Sequence, residues 1–191
     1  MRRSSVETKA VILAAARERF GRAGFQGATI RGIAADAGVD PAMVMRYYGN
    51  KDKLFAAAAD FDLELPDFAT TDRGELGRSL VRHFLQRWEG DDALVILLRS
   101  SATNAEAAQR MRQIFGTQLQ PLVASFAPAG EAGARAGLIA TQILGLALCR
   151  FVLQLPPVVE MTHDEVVEWL GPTIQRYLDP GQRSPDRPMR R

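Results

Sequence analysis

Residues 29–51 read TIRGIAADAGVDPAMVMRYYGNK, and the architecture follows from this stretch. Thr29 has the chemistry of a helix N-cap, and the short helix it opens buries Ile30, Ile33, Ala34 and Ala37 before it ends at Gly38. Only Val39 and Asp40 intervene before Pro41, whose fixed φ suits the first position of a further helix capped by Asp40. Two short helices joined by a turn containing glycine are the signature of a helix-turn-helix.

Such a unit docks its second helix in a major groove, which requires slender side chains at that helix's start and basic or hydroxyl groups beside it for phosphates. Pro41, Ala42 and Met43 meet the first requirement, and Arg46, Tyr47 and Lys51 the second. Thr29 adds a hydroxyl and free backbone N–H groups at a helix start, an anion clamp. Arg31 lies opposite the apolar side of its helix, within reach of a base edge. The alternative is that all eight are ordinary solvated or capping positions on a small helical bundle.

The charge pattern agrees with the first reading. Of 24 basic and 22 acidic residues in the 191, the first 53 hold ten bases against five acids, residues 54–179 ten against sixteen, and the last twelve four against one. The net charge of +2 thus conceals a basic head on an acidic body, the distribution of a polyanion-binding unit joined to something with another job.

Outward from the motif, apolar residues recur at spacings of three and four almost everywhere, so the chain reads as all-α. An opening helix starts at Ser4 or Ser5, buries Ile12, Leu13, Ala16 and Phe20, and stops at Gly24. A helix beginning at Lys51 carries Leu54, Phe55, Ala58 and Phe61 and is expected to run to Pro66. Leu76, Leu80, Phe84 and Trp88 step by four along another, and Leu94–Leu98 suit a fully buried one. Thr103 with Glu106 reads as a capping box for a helix with the stripe Met111, Phe115, Leu119, Leu122 and Phe126, kinked by Pro121. An apolar helix is expected from about Ala134 to Leu155, closed by Pro156 and Pro157. Thr162 with Glu165 caps a last helix interrupted at Gly171 and Pro172. The division predicted is 1–50 for the head, 51–179 for the body and 180–191 for a disordered basic tail.

The first 55 residues resemble the DNA-binding domain of the TetR family of bacterial transcriptional repressors. The resemblance rests on Ile12-Leu13 and Ala16, Phe20, Gly24-Phe25, Thr29-Ile30-Arg31, Ile33-Ala34, Ala37-Gly38-Val39, Tyr47-Tyr48, and Lys51 followed by Leu54-Phe55. It implies a three-helix head on a larger helical ligand-binding and dimerisation domain, a homodimer on a double-stranded DNA operator, and release by a small-molecule effector. It implies too that Thr29, Tyr47 and Lys51 contact phosphates, and that Arg31, Pro41, Ala42, Met43 and Arg46 face bases or the groove. Two positions depart from the pattern. Met45 stands where many relatives carry tyrosine, and Gly32 stands where a longer polar residue is common and weakens its helix by about 1 kcal/mol relative to alanine.

In the body, Gly137, Thr141, Gly145 and Cys149 recur every four residues and would let another helix come close, either within the subunit or, with Val166, Leu170 and Ile174 of the last helix, across a two-fold axis. Phe84, Trp88, Leu98, Met111, Phe115, Gln142 and Met161 are the side chains expected to border an effector pocket, unless they are plain core. The second functional reading keeps the head but dispenses with the effector, leaving the body to dimerise or to meet a protein partner.

Other classes are excluded at this level. His83 lacks a Cys or acidic neighbour at helical spacing, and adjacent His163, Asp164 and Glu165 point in different directions, so no metal site and no cofactor is expected. No phosphate-binding glycine loop or nucleophile elbow occurs, so no enzyme is expected. The single Cys149 and the charged opening suit a cytoplasmic protein without a secretory signal. Stretches 136–149 and 151–159, parted by Arg150, each fall short of the roughly 20 residues that span a bilayer, so no membrane association is expected.

Overall fold

The computed structural model describes residues 4–90, 93–128, 130–179 and 181, among which no strand occurs. The expected tail, 180–191, lies outside the described residues apart from Gly181. The chain falls into two compact units, one comprising the chain up to Asp62 together with Trp88–Arg112, the other Leu63–Arg87 together with the chain from Gln113 onward.

In the first unit, α1 (Ser5–Gly27) opens on a capping box in which Ser4 Oγ accepts from the Glu7 N–H and the Glu7 carboxylate accepts from the Ser4 N–H. Gly24 breaks its regularity at φ +66°, where the sequence placed the end, and one further turn follows. Helices α2 (Ile30–Ala37), α3 (Pro41–Tyr48) and α4 (Lys51–Ala58) come next. Ile12, Ala16, Phe20, Ile33, Ala34, Val44, Leu54, Phe55 and Ala58 form the core between them. Helix α6 (Ala93–Ser100) packs on α1, its Ile96 lying against Gly21 and its Arg99 donating to the Gly21 carbonyl. Most of α7 (Ala105–Ile114) belongs here too.

Helix α4 ends at Ala58 instead of Pro66. Beyond it Phe61 and Leu63 are buried while Asp60, Asp62 and Glu64 are exposed, an alternation that belongs to extended chain. Phe61 therefore reaches a core from a segment that is not helical.

The second unit contains α5 (Leu76–Gly90) up to Arg87, α8 (Gln120–Ala124), α9 (Ala132–Ala147), α10 (Pro156–Val159) and α11 (His163–Leu178). Leu76, Leu80, Phe84 and Trp88 are all buried, as their spacing predicts. Four other expectations need correction. Asn104, not Thr103, caps α7, its Oδ1 accepting from the Ala107 N–H at 2.7 Å. A π-helical turn, Phe115–Leu119, precedes Pro121 and absorbs its missing N–H and bulky ring. It inserts a residue into the period; Leu119 is buried as expected, together with Ala107, Ile114 and Val123, while Met111, Phe115, Leu122 and Phe126 are only half-buried. A second π turn, Leu148–Val152, ends the long apolar helix before Leu155, and Pro156 starts α10. Finally, α11 runs unbroken through Gly171 and Pro172 because a close crossing holds that stretch helical.

That crossing sets α5 against α11. A Cβ on Gly77 would lie 2.6 Å from the Gln175 nitrogen and closer still to the Gly171 carbonyl oxygen, and one on Gly171 would lie 3.1 Å from the Arg78 Cα. The Gly77 N–H donates to Gln175 Oε1 at 2.8 Å, and the Arg78 guanidinium bridges Glu75 and Glu168, which raises its pKa. On α9, buried Arg135 pairs with Glu131 and donates to the carbonyls of Tyr177 and Asp179, capping the end of α11. With its π turn this helix spans Ala132–Val152, 21 residues with a mean hydropathy of 1.4, long and apolar enough to cross a membrane by length and composition alone. Counting the stretches on either side of Arg150 separately hid that continuity. It packs on α8 and α11, and Arg150 donates to the carbonyls of Val158 and Met161.

Candidate nucleic-acid interface

The helix-turn-helix is built from local hydrogen bonds. Thr29 Oγ1 accepts from the Gly32 N–H at 3.1 Å, Gly38 adopts φ +62° with its N–H on the carbonyls of Ala34 and Ala35, and Asp40 Oδ1 accepts from the Ala42 N–H at 2.7 Å. Pro41 occupies the first turn of α3, where a missing N–H costs nothing. Val44 and Tyr48 anchor α3 inward, the Tyr48 hydroxyl donating to the Lys9 carbonyl at 2.9 Å, and burial pushes the phenol pKa up.

This anchoring turns the rest of α3 outward. Pro41, Ala42 and Arg46 are exposed, Met43 and Tyr47 half-buried, and Thr29 and Arg31 exposed at the start of α2. Asn50 caps α4 through the Lys53 N–H. The Lys51 ammonium sits 4.4 Å from the centre of the Phe25 ring, itself edge-on to Phe55 at 5.1 Å. Burial lowers the Lys51 pKa, with Asp52 opposing. The ring thus holds one cation at a helix start, where N–H groups and ammonium together favour an anion.

Two features go beyond the sequence reading, which marked Met45 and Gly32 only as departures from the family pattern. Met45 is 44% exposed on the same side of α3 as Ala42 and Arg46. Arg19 of α1 also grips Asp36 of α2 through Nε at 2.5 Å and Nη2 at 2.8 Å, an arrangement that lowers the Asp36 pKa through the hydrogen bond. The guanidinium passes over Gly32, where a Cβ would lie 2.8 Å from Cζ. A glycine inside a helix with no turn to make was the only available signal.

The body candidates are placed differently. Gly137 and Gly145 have open space where a Cβ would stand, Thr141 is exposed and Cys149 half-buried. Leu138 and Leu148 are exposed along the same helix and its π turn, and Leu153 just beyond it. Val166 and Ile174 are buried within their own subunit and Leu170 half-buried, whereas Trp169 is 76% exposed, so the outward face of α11 is one residue away from the stripe read from sequence. Of the expected pocket residues, Trp88, Leu98 and Met111 belong to the first unit and Phe84, Phe115, Gln142 and Met161 to the second, so neither unit gathers them all. A cavity of about 310 Å³ in the second unit is lined instead by Arg73, Gly74, Leu76, Phe126, Gln175, Leu178 and Asp179.

Comparison with known proteins agrees with this geometry. Residues 12–58 match the family model described as bacterial regulatory proteins, tetR family, and residues 74–178 match the tetracyclin repressor-like C-terminal domain. The HTH-type transcriptional repressor AcnR of Corynebacterium jeikeium is 34% identical over 87 residues, 44% of this chain and 46% of that protein. RaaS, an HTH-type transcriptional regulatory protein of Mycobacterium tuberculosis, is 44% identical over 64 residues, 34% of this chain and 30% of that protein. The chain therefore spans less than half the length of these curated relatives. A TetR-family regulator from Streptomyces coelicolor A3 superposes with a TM-score of 0.61 at 29% identity, over 93% of this chain and 98% of the other. NalD of Pseudomonas aeruginosa shares the fold at a TM-score of 0.68 and 24% identity, over 93% and 98%. With both halves of the fold matched and the helix-turn-helix in register, the chain belongs to the TetR family of DNA-binding transcriptional regulators.

Proposed function

We propose that this regulator is a cytoplasmic repressor that binds an inverted-repeat operator as a homodimer and is released by a small, mostly apolar effector. The observation that carries the reading is the outward face of α3, flanked by Arg31 and by Lys51 at the α4 start. In this reading Thr29, Tyr47 and Lys51 hold phosphates, and Arg31, Pro41, Ala42, Met43 and Arg46 face the groove. The open face of α9 at Gly137, Thr141, Gly145 and Cys149, with exposed Leu138 and Leu148, supports the dimer, since an apolar helix left uncovered in one subunit is covered by a second copy. The two heads then read successive major grooves about 34–36 Å apart. Footprinting should protect paired half-sites, and protection of a single half-site by a monomer would overturn the dimeric reading.

Induction works by favouring a head spacing that no longer fits the grooves. Helix α4 stops at Ala58, short of the expected Pro66, whereas α5 and α7 each run across the division between the units. Coupling along α5 is the favoured route. Linkage requires operator DNA to weaken effector binding by the factor that effector weakens operator binding, about 1–3 kcal/mol. Effector affinity with and without saturating operator measures it.

One observation favours a second reading, a regulator without an effector. The 310 Å³ cavity is at the small end of ligand sites, which run from about 300 to 1,000 Å³, and none of the seven expected pocket residues lines it. A thermal-shift screen that finds no stabilising small molecule, or equal effector affinity with and without operator, would favour that second reading.

A further inference from the structure

The outward face of α3 is short of polar groups. Positions 42, 45 and 46 share one side of a helix, being spaced by three and four, and they hold alanine, methionine and arginine. Arg46 is the only hydrogen-bond donor among the three side chains. Met45 has no packing reason to be there, because Val44 and Tyr48 already make the inward contacts of α3 and Met45 is 44% exposed. A thioether cannot donate to phosphate and is at most a weak acceptor, so neither backbone contact nor hydrogen-bonded base readout uses it. The major groove presents one strongly apolar feature, the C5-methyl group of thymine, which apolar side chains read by contact. Methionine suits that task, being long enough to reach beyond Ala42 and polarizable and flexible enough to settle on a methyl group.

We infer that Met45 is a specificity-determining residue that reads a thymine C5-methyl group in each half-site. The inference rests on the proposed role of α3 as the groove-reading helix and adds a base to what that helix recognises. Its counterpart in the operator is a thymine near the guanine or other base engaged by Arg46, since the two side chains stand on consecutive residues of one helix.

The test uses the full chain and an operator selected from a pool of random duplexes. Each thymine of the selected site is replaced in turn by deoxyuridine, which removes the C5-methyl and leaves every hydrogen-bonding group in place. At one position per half-site the replacement should weaken binding about fourfold, the factor that about 0.8 kcal/mol per buried methyl group converts to at 1.36 kcal/mol per tenfold. Met45→Ala should abolish that penalty at that position, and Met45→Leu should keep most of it. Melting temperatures of both variants confirm that they are folded, as expected for an exposed side chain.

A site in which no thymine is sensitive, or in which sensitivity persists undiminished in Met45→Ala, overturns the inference. If Arg46→Ala relaxes specificity in that same experiment, the role of α3 survives and only the methyl contact falls. Failure to select any sequence from the pool removes both together.

Discussion

The helix-turn-helix and the second unit are held by different kinds of contact. In residues 29–53 the decisive hydrogen bonds span two or three residues: Thr29 to Gly32, Asp40 to Ala42, Asn50 to Lys53. In the second unit they span tens of residues: Gly77 to Gln175, Arg78 to Glu168, Arg135 to Tyr177 and Asp179. Glycines sharpen the contrast. Gly137 and Gly145, whose regular spacing looks like a contact face, have nothing near them in their own subunit, while Gly77 and Gly171, in no pattern at all, touch backbone to backbone. Small-residue periodicity therefore marks a surface that can be approached, and only the crossing itself shows where one has been.

The largest expected effect tests that contrast directly. Gly77→Ala should destabilise the chain by about 3 kcal/mol, the upper end of overpacking penalties, because the added Cβ meets backbone atoms that cannot step aside. Gly145→Ala should be neutral or stabilise by up to about 1 kcal/mol through helix propensity. Urea unfolding of the two variants decides it, and equal midpoints would erase the distinction.

Next in size is the assignment of the open face. Gly145→Leu places a branched side chain where one subunit has room, so secondary structure by circular dichroism should hold while association weakens by about 1–3 kcal/mol. Sedimentation at micromolar protein measures this. An unaltered dimer would mean the partner copy covers some other surface, with exposed Trp169 of α11 the first place to look.

In the head, comparable energies separate into two kinds. Arg31→Ala should cost about 1–3 kcal/mol and relax specificity if the guanidinium grips a guanine edge. Lys51→Ala should weaken all sequences alike and reduce the salt slope by about one. Titrations on specific and random duplexes at several salt concentrations separate the two, and a specificity ratio unchanged by Arg31→Ala would leave Arg31 as another phosphate contact.

These differences in contact range explain what the sequence could and could not show. The caps at Thr29, Asp40 and Thr162 and the end of α2 at Gly38 were readable because each needs only its near neighbours. The end of α4 was not, because Phe61 continues the apolar helical spacing while Leu63 is held from afar, its N–H on Gln118 Oε1 and its carbonyl on the His83 Nε2. The helix through Pro172 was missed for the same reason, since residues nearly a hundred positions earlier hold it. Likewise burial falls on Ile114, Leu119 and Val123, of which the stripe read from sequence shares only Leu119, and a fixed period of 3.6 cannot anticipate the residue that the π turn before Pro121 inserts.

The smallest expected effect concerns a longer-range contact of the head that borders the groove-reading unit, Arg19 with Asp36. The pair is exposed, so its contribution to stability is modest and screened by salt. Its pH dependence has a definite sign. The Arg19 hydrogen bond holds the Asp36 pKa below its ordinary value, so the stabilisation is complete above the unfolded-state value near 4 and is lost as pH falls through the folded-state value. Wild type and Arg19→Ala should therefore differ by a constant amount in urea midpoint from pH 7 down to about pH 5, and the difference should close on further acidification. Gly32 supplies an independent check. In the Arg19→Ala background Gly32→Ala should recover the full helix-propensity gain of about 1 kcal/mol, and in wild type less, because the guanidinium must first leave its place over the glycine. Equal gains in both backgrounds would mean that Arg19 yields to a methyl group without losing Asp36, and that Gly32 does not serve the brace.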